Sequence, residues 1–171
     1  MGFSPLEGIP MNTRSGSLDP GALVYVLREH GLTPDEVDQA LNHDSGVVAL
    51  AGGGRGLREI EAAAATGDPD ARLAVDVYVH RLVGAIAAMA AAAGGLDALV
   101  FTAGVGEKSA PIRGSACERL GFLGVRIDLE ANARAVADCE ITAPGSEVRT
   151  LVVRAREDVV AARAARKLLR L

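Results

Sequence analysis

The chain has 171 residues, 49% hydrophobic and 23% charged, and its 18 basic against 22 acidic side chains leave a formal net charge of −4. That much apolar material supports one domain with a real core and excludes intrinsic disorder. With 3% aromatics, no Trp and a pI near 5.4, the sequence lacks the basic footprint and the stacking surfaces that nucleic-acid binding requires.

Residues 1–18 mix Gly, Pro, Ser and Thr without periodicity and read as loop. Asp19-Pro20 sets an N-cap with Pro in the first turn, Leu23, Val26 and Leu27 supply an apolar face, and Gly31 stops the helix. Thr33-Pro34-Asp35-Glu36 starts a second helix with Val37, Ala40 and Leu41 on its face. Ser45 to Ala51 is a short apolar run closed by Gly52-Gly53-Gly54, which predicts a strand or buried turn entering a permissive loop. Leu57 to Ala65 reads as a short helix, and Asp68-Pro69-Asp70 restarts a long one that ends at Gly94-Gly95. Its apolar part, Leu82 to Leu96, follows Asp76, His80 and Arg81; it is expected to be a buried helix, too short and too charged at one end to span a bilayer.

Leu96 to Phe101 predicts a strand running into Thr102-Ala103-Gly104-Val105-Gly106-Glu107, a glycine loop of the kind that lets backbone approach a phosphate or nucleoside. Ser109 to Leu120 is expected to be helical, Val125-Arg126-Ile127 a short strand, Glu147 to Val153 another with apolar positions Val148, Leu151 and Val153, and Glu157 to Leu171 a final helix. Strands alternating with helices give an α/β architecture. With neither internal repeats nor an obvious linker, one domain is expected.

Cys117 and Cys139 are too few for a disulfide scaffold and not spaced as metal ligands, so a reducing, cytoplasmic setting and plain thiols are expected. The first residues carry no basic stretch followed by an apolar run, so no secretory signal is read there. Arginine outnumbers lysine 16 to 2, a usage that weakens arguments from any single Arg. His30, His43 and His80 are scattered and expected on helix surfaces or in the core.

Three stretches offer chemistry. Gly104-x-Gly106 lacks the third glycine of a dinucleotide fold and the Lys-Ser/Thr of a P-loop, so on its own it is a nucleotide-facing loop or only a tight turn. Arg14, in a loop of small residues, is either a solvated side chain or a guanidinium able to clamp an anionic oxygen bidentately. Glu157-Asp158, after the last predicted strand, is either an acidic first helical turn or a pair of hard oxygen ligands for Mg²⁺.

The order and wording of these stretches together resemble a known family. Residues 1–21, MGFSPLEGIPMNTRSGSLDPG, resemble the acetate kinase segment MGFTPLEG…GTRSGDLDP, and residues 96–108, LDALVFTAGVGEK, resemble that family's VDALVFTAGIGEN. The likeness continues through Leu41 to Gly46, Arg58-Glu59-Ile60, Gly121 to Gly124 and Arg156-Glu157-Asp158.

The resemblance implies a ribonuclease-H-like α/β domain of the actin-like sugar and acetate kinase superfamily, with residues 1–171 as the C-terminal acetate kinase domain and the N-terminal half absent. It implies reversible transfer of the γ-phosphoryl group of ATP to acetate, giving acetyl phosphate and ADP, with Mg²⁺ as cofactor. By the same likeness Arg14 would be the catalytic arginine, Leu57 and Arg58 would contact adenosine, Gly104, Val105, Gly106 and Glu107 would form the adenosine-facing loop, and Glu157 would help hold Mg²⁺. Gly56, Lys108 and Ala155-Arg156 depart from the family's Asp, Asn and Thr-Asn. The isolated chain is expected to be inactive, pairing as a homodimer or with the missing half, in the cytoplasm and away from membranes. The alternatives are a non-catalytic nucleotide-binding or dimerisation module, and a propionate or butyrate kinase fragment.

Overall fold

The computed structural model describes residues 2–169, so Met1 and the expected end of the last helix, Arg170 and Leu171, lie outside the described residues. The chain divides at Gly94-Gly95 into two compact units, Met1–Gly95 and Leu96–Leu171, although no Pro- or Ser-rich linker marks the boundary.

The first unit is helical: α1 (Pro20–Glu29), α2 (Pro34–His43), α3 (Gly46–Leu50), α4 (Leu57–Ala65) and α5 (Pro69–Ala93). Local sequence starts most of these. The Asp19 carboxylate accepts from the Gly21 amide, Thr33 and Glu36 form a reciprocal capping box, and Asp68 accepts from the amides of Asp70 and Ala71. Gly94, at φ +77°, ends α5 in the left-handed conformation. The core gathers where α3 and α4 pack on the first half of α5, through Val47, Ala51, Leu57, Ile60, Ala71, Ala74, Tyr78 and Val79.

Two expectations for this unit change. The run 45–51 is the short helix α3, because the amides of Val47 and Val48 donate to the carbonyls of Met11 and Asn12 and so satisfy first-turn donors that local sequence leaves open. A short apolar run does not distinguish strand from buried helix by periodicity. Nor is Leu82 to Leu96 a buried helix: within it only Ala90 is buried, and Met89 is 66% exposed. Because the helix begins at Pro69, α5 reaches 25 residues and is long and apolar enough, by length and composition, to cross a membrane, with Asp76, His80 and Arg81 inside the helix rather than ahead of it.

The second unit holds β1 (Ala98–Phe101), α6 (Ala103–Lys108), α7 (Ala110–Arg119), a 3₁₀ turn (Gly121–Leu123), α8 (Leu129–Ala133), β2 (Cys139–Glu140), β3 (Arg149–Val152) and α9 (Glu157–Leu169). The sheet order is β1-β3-β2, with β1 and β3 parallel from Ala98↔Arg149 to Phe101↔Val152 and β2 antiparallel to β3. Leu99, Phe101, Val148, Thr150 and Val152 turn inward and are buried, as are Ile112, Ala116, Cys117 and Leu120. The buried positions near β3 are thus Val148, Thr150 and Val152, not Leu151 and Val153, since side chains alternate strictly across a strand.

The segment 102–107 is not a loop: Ala103 to Lys108 form α6, whose last-turn carbonyls are satisfied by a buried arginine described below. Val125-Arg126-Ile127 makes no strand, because Val125 bridges to Val148 in parallel and Ile127 to Thr142 antiparallel, and one residue between two partners supports no ladder. The helix α8 and the two-residue β2 were not anticipated.

Candidate nucleotide and phosphoryl site

In the first unit Arg14 lies on a loop sewn into the helices by backbone. The Arg14 carbonyl accepts from Met11, Ser15 donates to Leu41, Ser45 donates to Thr13, and the Thr13 hydroxyl donates to Asn42. The side chain is half-buried, its Nη1 lies 3.8 Å from the Met11 sulfur, and its buried Nε has no hydrogen-bond partner among the described residues. An unpartnered guanidinium donor fits a site for an anionic oxygen, since a buried N–H without an acceptor costs free energy until one arrives.

The loop reaches the start of α4 through Asn12, whose Oδ1 accepts from the Leu57 amide at 3.3 Å. The Leu57 side chain belongs to the core, so only its backbone is available to a ligand, whereas Arg58 is exposed. Glu59 reaches back to accept from the Gly56 amide at 2.9 Å. Gly56 has φ −75°, and an added Cβ would meet nothing closer than 4.0 Å, so nothing in the backbone requires glycine there.

In the second unit Gly104, Glu107 and Glu157 come together. With Ala103, Lys108, Ala155 and Asp158 they line a cleft of about 340 Å³ at the end of the parallel strands β1 and β3. The chain enters it through Ala103 at φ +59°, a left-handed conformation that costs an L-residue of order 1–2 kcal/mol and that the surrounding structure must hold. A Cβ on Gly104 would meet nothing within 4 Å beyond its own helix backbone among the described residues, so that face is open. Gly106 is different: its Cβ would lie 3.2 Å from the Phe101 carbonyl carbon, so glycine there serves close packing on β1. Val105 and Gly106 are half-buried and do not line the cleft.

Glu107 lines the cleft and is also tied to the protein. Its Oε1 accepts from the Ala155 amide at 2.8 Å. Below it lies Arg113, 2% exposed, which sequence reasoning passed over. The Arg113 Nη1 donates to the carbonyls of Gly106 and Glu107 at 2.9 and 3.0 Å, while Nε and Nη2 donate to the Asn132 side chain and carbonyl, each at 2.8 Å. Asn132 Nδ2 in turn donates to the Ala110 carbonyl. Burial pulls the Arg113 guanidinium below its ordinary value and pushes the Cys117 thiol up to about 12. Both cysteines are free thiols. His80 and His43 are exposed, and His30 lies edge-on to Tyr25.

Among the described residues no three His, Cys, Asp or Glu side chains cluster to hold a metal by themselves. Mg²⁺ ordinarily takes one or two carboxylates and completes its shell with phosphates and water, and Glu157 with Asp158 offers that many on one cleft wall. A larger groove in this unit, about 800 Å³ between α7, α8 and residues 125–127, contains none of the predicted site residues.

The model of the acetokinase family matches residues 1–163. The chain belongs to the acetokinase family. It is 49% identical over 163 residues to an acetate kinase of Gloeobacter violaceus, covering 95% of this chain and 40% of the relative. An acetate kinase of Deinococcus deserti is 51% identical over 172 residues, covering 99% of this chain and 43% of the relative. The fold superposes on Porphyromonas gingivalis acetate kinase with a TM-score of 0.88 and 36% identity, covering 97% of this chain and 42% of that one. A Francisella tularensis propionate kinase matches with a TM-score of 0.87 and 34% identity, covering 95% of this chain and 41% of that one. The expected α/β, actin-like fold therefore holds for this acetokinase-family chain, which spans about two fifths of the length of the relatives it matches.

Proposed function

We propose that this chain is the C-terminal, nucleotide-binding half of an acetate kinase, which transfers the γ-phosphoryl group of ATP to acetate and returns ADP and acetyl phosphate. The supporting observation is the cleft where β1 and β3 end, lined by the open Gly104 face and by Glu157 behind the left-handed Ala103. Ligands of open α/β sheets bind outside the carboxyl ends of their strands.

In the transfer an acetate oxygen forms a bond to the γ-phosphorus while the bond to the β–γ bridging oxygen breaks, and the electron pair leaves on ADP. Charge then spreads over three equatorial oxygens, and the Arg14 guanidinium, with a donor to spare, offsets it. In the first unit the exposed Arg58 and the backbone at Leu57 are assigned to adenosine by the family likeness, and in the second unit the open backbone at Gly104 offers a nucleotide room. Glu157 would hold Mg²⁺, which when bound neutralises phosphate charge.

Phosphoryl-transfer catalysis is positioning and charge stabilisation, so acetate-orienting groups carried elsewhere in the full family architecture are indispensable. The chain alone is therefore expected to give no acetyl phosphate. A hydroxamate assay with acetate and MgATP tests this: turnover by the 171 residues alone at a rate near a full-length relative's would refute it. The alternative reading, a fragment of a propionate or butyrate kinase, is supported on its propionate side by the propionate kinase match at nearly the same TM-score. The exposed, Ala-rich second half of α5, with Met89, suits a second copy or the other half as partner, and the expected setting is the cytoplasm, away from membranes and nucleic acid.

A further inference from the structure

Resting on the nucleotide-cleft reading, we infer that Glu107 is a positioning residue that holds the segment carrying Glu157, and is not an adenosine contact. Residues 153–156 connect β3 to α9 and deliver Glu157 to the cleft. They are pinned from several sides. The Val153 amide donates to the Phe101 carbonyl at 2.9 Å, the Arg154 amide to Asp138 Oδ1 at 3.1 Å, the Ala155 amide to Glu107 Oε1 at 2.8 Å, and the Arg156 guanidinium pairs with the Asp138 carboxylate at 2.5 Å.

Of these pins only Glu107 belongs to the cleft wall that contains Gly104. Its backbone is held from beneath, because Arg113 binds the carbonyls of both Gly106 and Glu107 and ties them to Asn132 on α8. A carboxylate aimed at a backbone amide 48 residues away, on a helix end fixed by a buried guanidinium, couples the nucleotide wall to the metal wall. Through Oε1, which accepts from Ala155, Glu107 carries the geometry of the segment that bears Glu157.

The test uses the full chain, with Glu107→Ala, which removes the acceptor, and Glu107→Gln, which keeps a carbonyl oxygen in its place. Hydrogen exchange at the Ala155 amide is expected to speed up about tenfold in Glu107→Ala and to return toward the wild-type rate in Glu107→Gln, the scale of losing one charge-assisted hydrogen bond. Unchanged exchange in Glu107→Ala, with its melting temperature confirming a folded chain, overturns the inference. ADP titrations with Mg²⁺ and with EDTA supply the second readout. Glu107→Ala is expected to lose the Mg²⁺-dependent gain in affinity and keep the metal-free affinity, whereas equal weakening under both conditions makes Glu107 a nucleotide contact and overturns it. If the wild-type chain binds no ADP at all, the nucleotide reading fails while the exchange rates still decide whether Glu107 holds this segment.

Discussion

Replacing Arg113 by Met removes four hydrogen bonds from the centre of the second unit while nearly filling the same volume. The lost partners are the Gly106 and Glu107 carbonyls and the Asn132 carbonyl and side-chain oxygen. Counting all four at the value of a charged donor, about 1.5 kcal/mol each, overstates the effect, because the substitution also relieves the burial cost of the cation. What remains is acceptors on three residues without their donor, those of Asn132 buried and the Gly106 and Glu107 carbonyls part-buried, at about 1 kcal/mol per residue, so the expected destabilisation is about 3 kcal/mol. Arg113→Lys keeps the charge but lacks the planar fork and should lose most of that amount.

The unit reports on itself, since both cysteines lie within it and both tyrosines, Tyr25 and Tyr78, lie in the first. In a Cys139→Ser background, labelling of the buried Cys117 against urea gives the opening of the second unit alone. With a urea slope near 1 kcal/mol/M for a unit of this size, the midpoint should fall by about 2–3 M. A fall below about 0.5 M, or full rescue by Lys, would refute the account of Arg113 as the anchor of α6.

Other outcomes follow from particular positions. Gly104→Ala should leave stability unchanged or raise it by up to about 1 kcal/mol, because its Cβ meets no protein atom in a helix, yet weaken ADP binding in a titration if that face receives the nucleotide. Gly46→Ala should cost more than about 2 kcal/mol by Tyr fluorescence in urea, since φ is +68° and its Cβ would lie 2.3 Å from the Met11 carbonyl oxygen, whereas Gly52→Ala, at φ +79° in open space, should cost about 1–2 kcal/mol. The Arg149 hydrogen bonds pull Glu140 from its ordinary 4.5 down to about 2, and the Arg154 amide with Arg156 lowers Asp138. A depressed folded pKa contributes stability above the unfolded value that is lost as pH falls toward the folded one, so Glu140→Gln and Asp138→Asn should flatten the acid unfolding curve between about pH 4.5 and 2.

The legible part of this fold was whatever the chain settles locally. Asp19-Pro20, Thr33 with Glu36, Asp68-Pro69 and Gly94 each hold a cap through a neighbour a few residues away, and the helices they bound appear where the sequence places them. The short helices α3 and α6 were not legible, because their ends are satisfied at a distance: α3 by the carbonyls of Met11 and Asn12, α6 by Arg113. The same reason hides the work of Glu107, whose partner is 48 residues on. Arg14 and Glu157 become candidates only through the wording of whole segments, since each taken alone reads as an ordinary charged residue.

Calorimetric titration of the chain with MgADP tests the central claim, a nucleotide half-site, most directly. One saturable site per chain, weakened by EDTA and by Arg58→Ala, is the expected result. No saturable heat with MgADP up to about 1 mM, the scale of a free energy near −4 kcal/mol, would contradict the account.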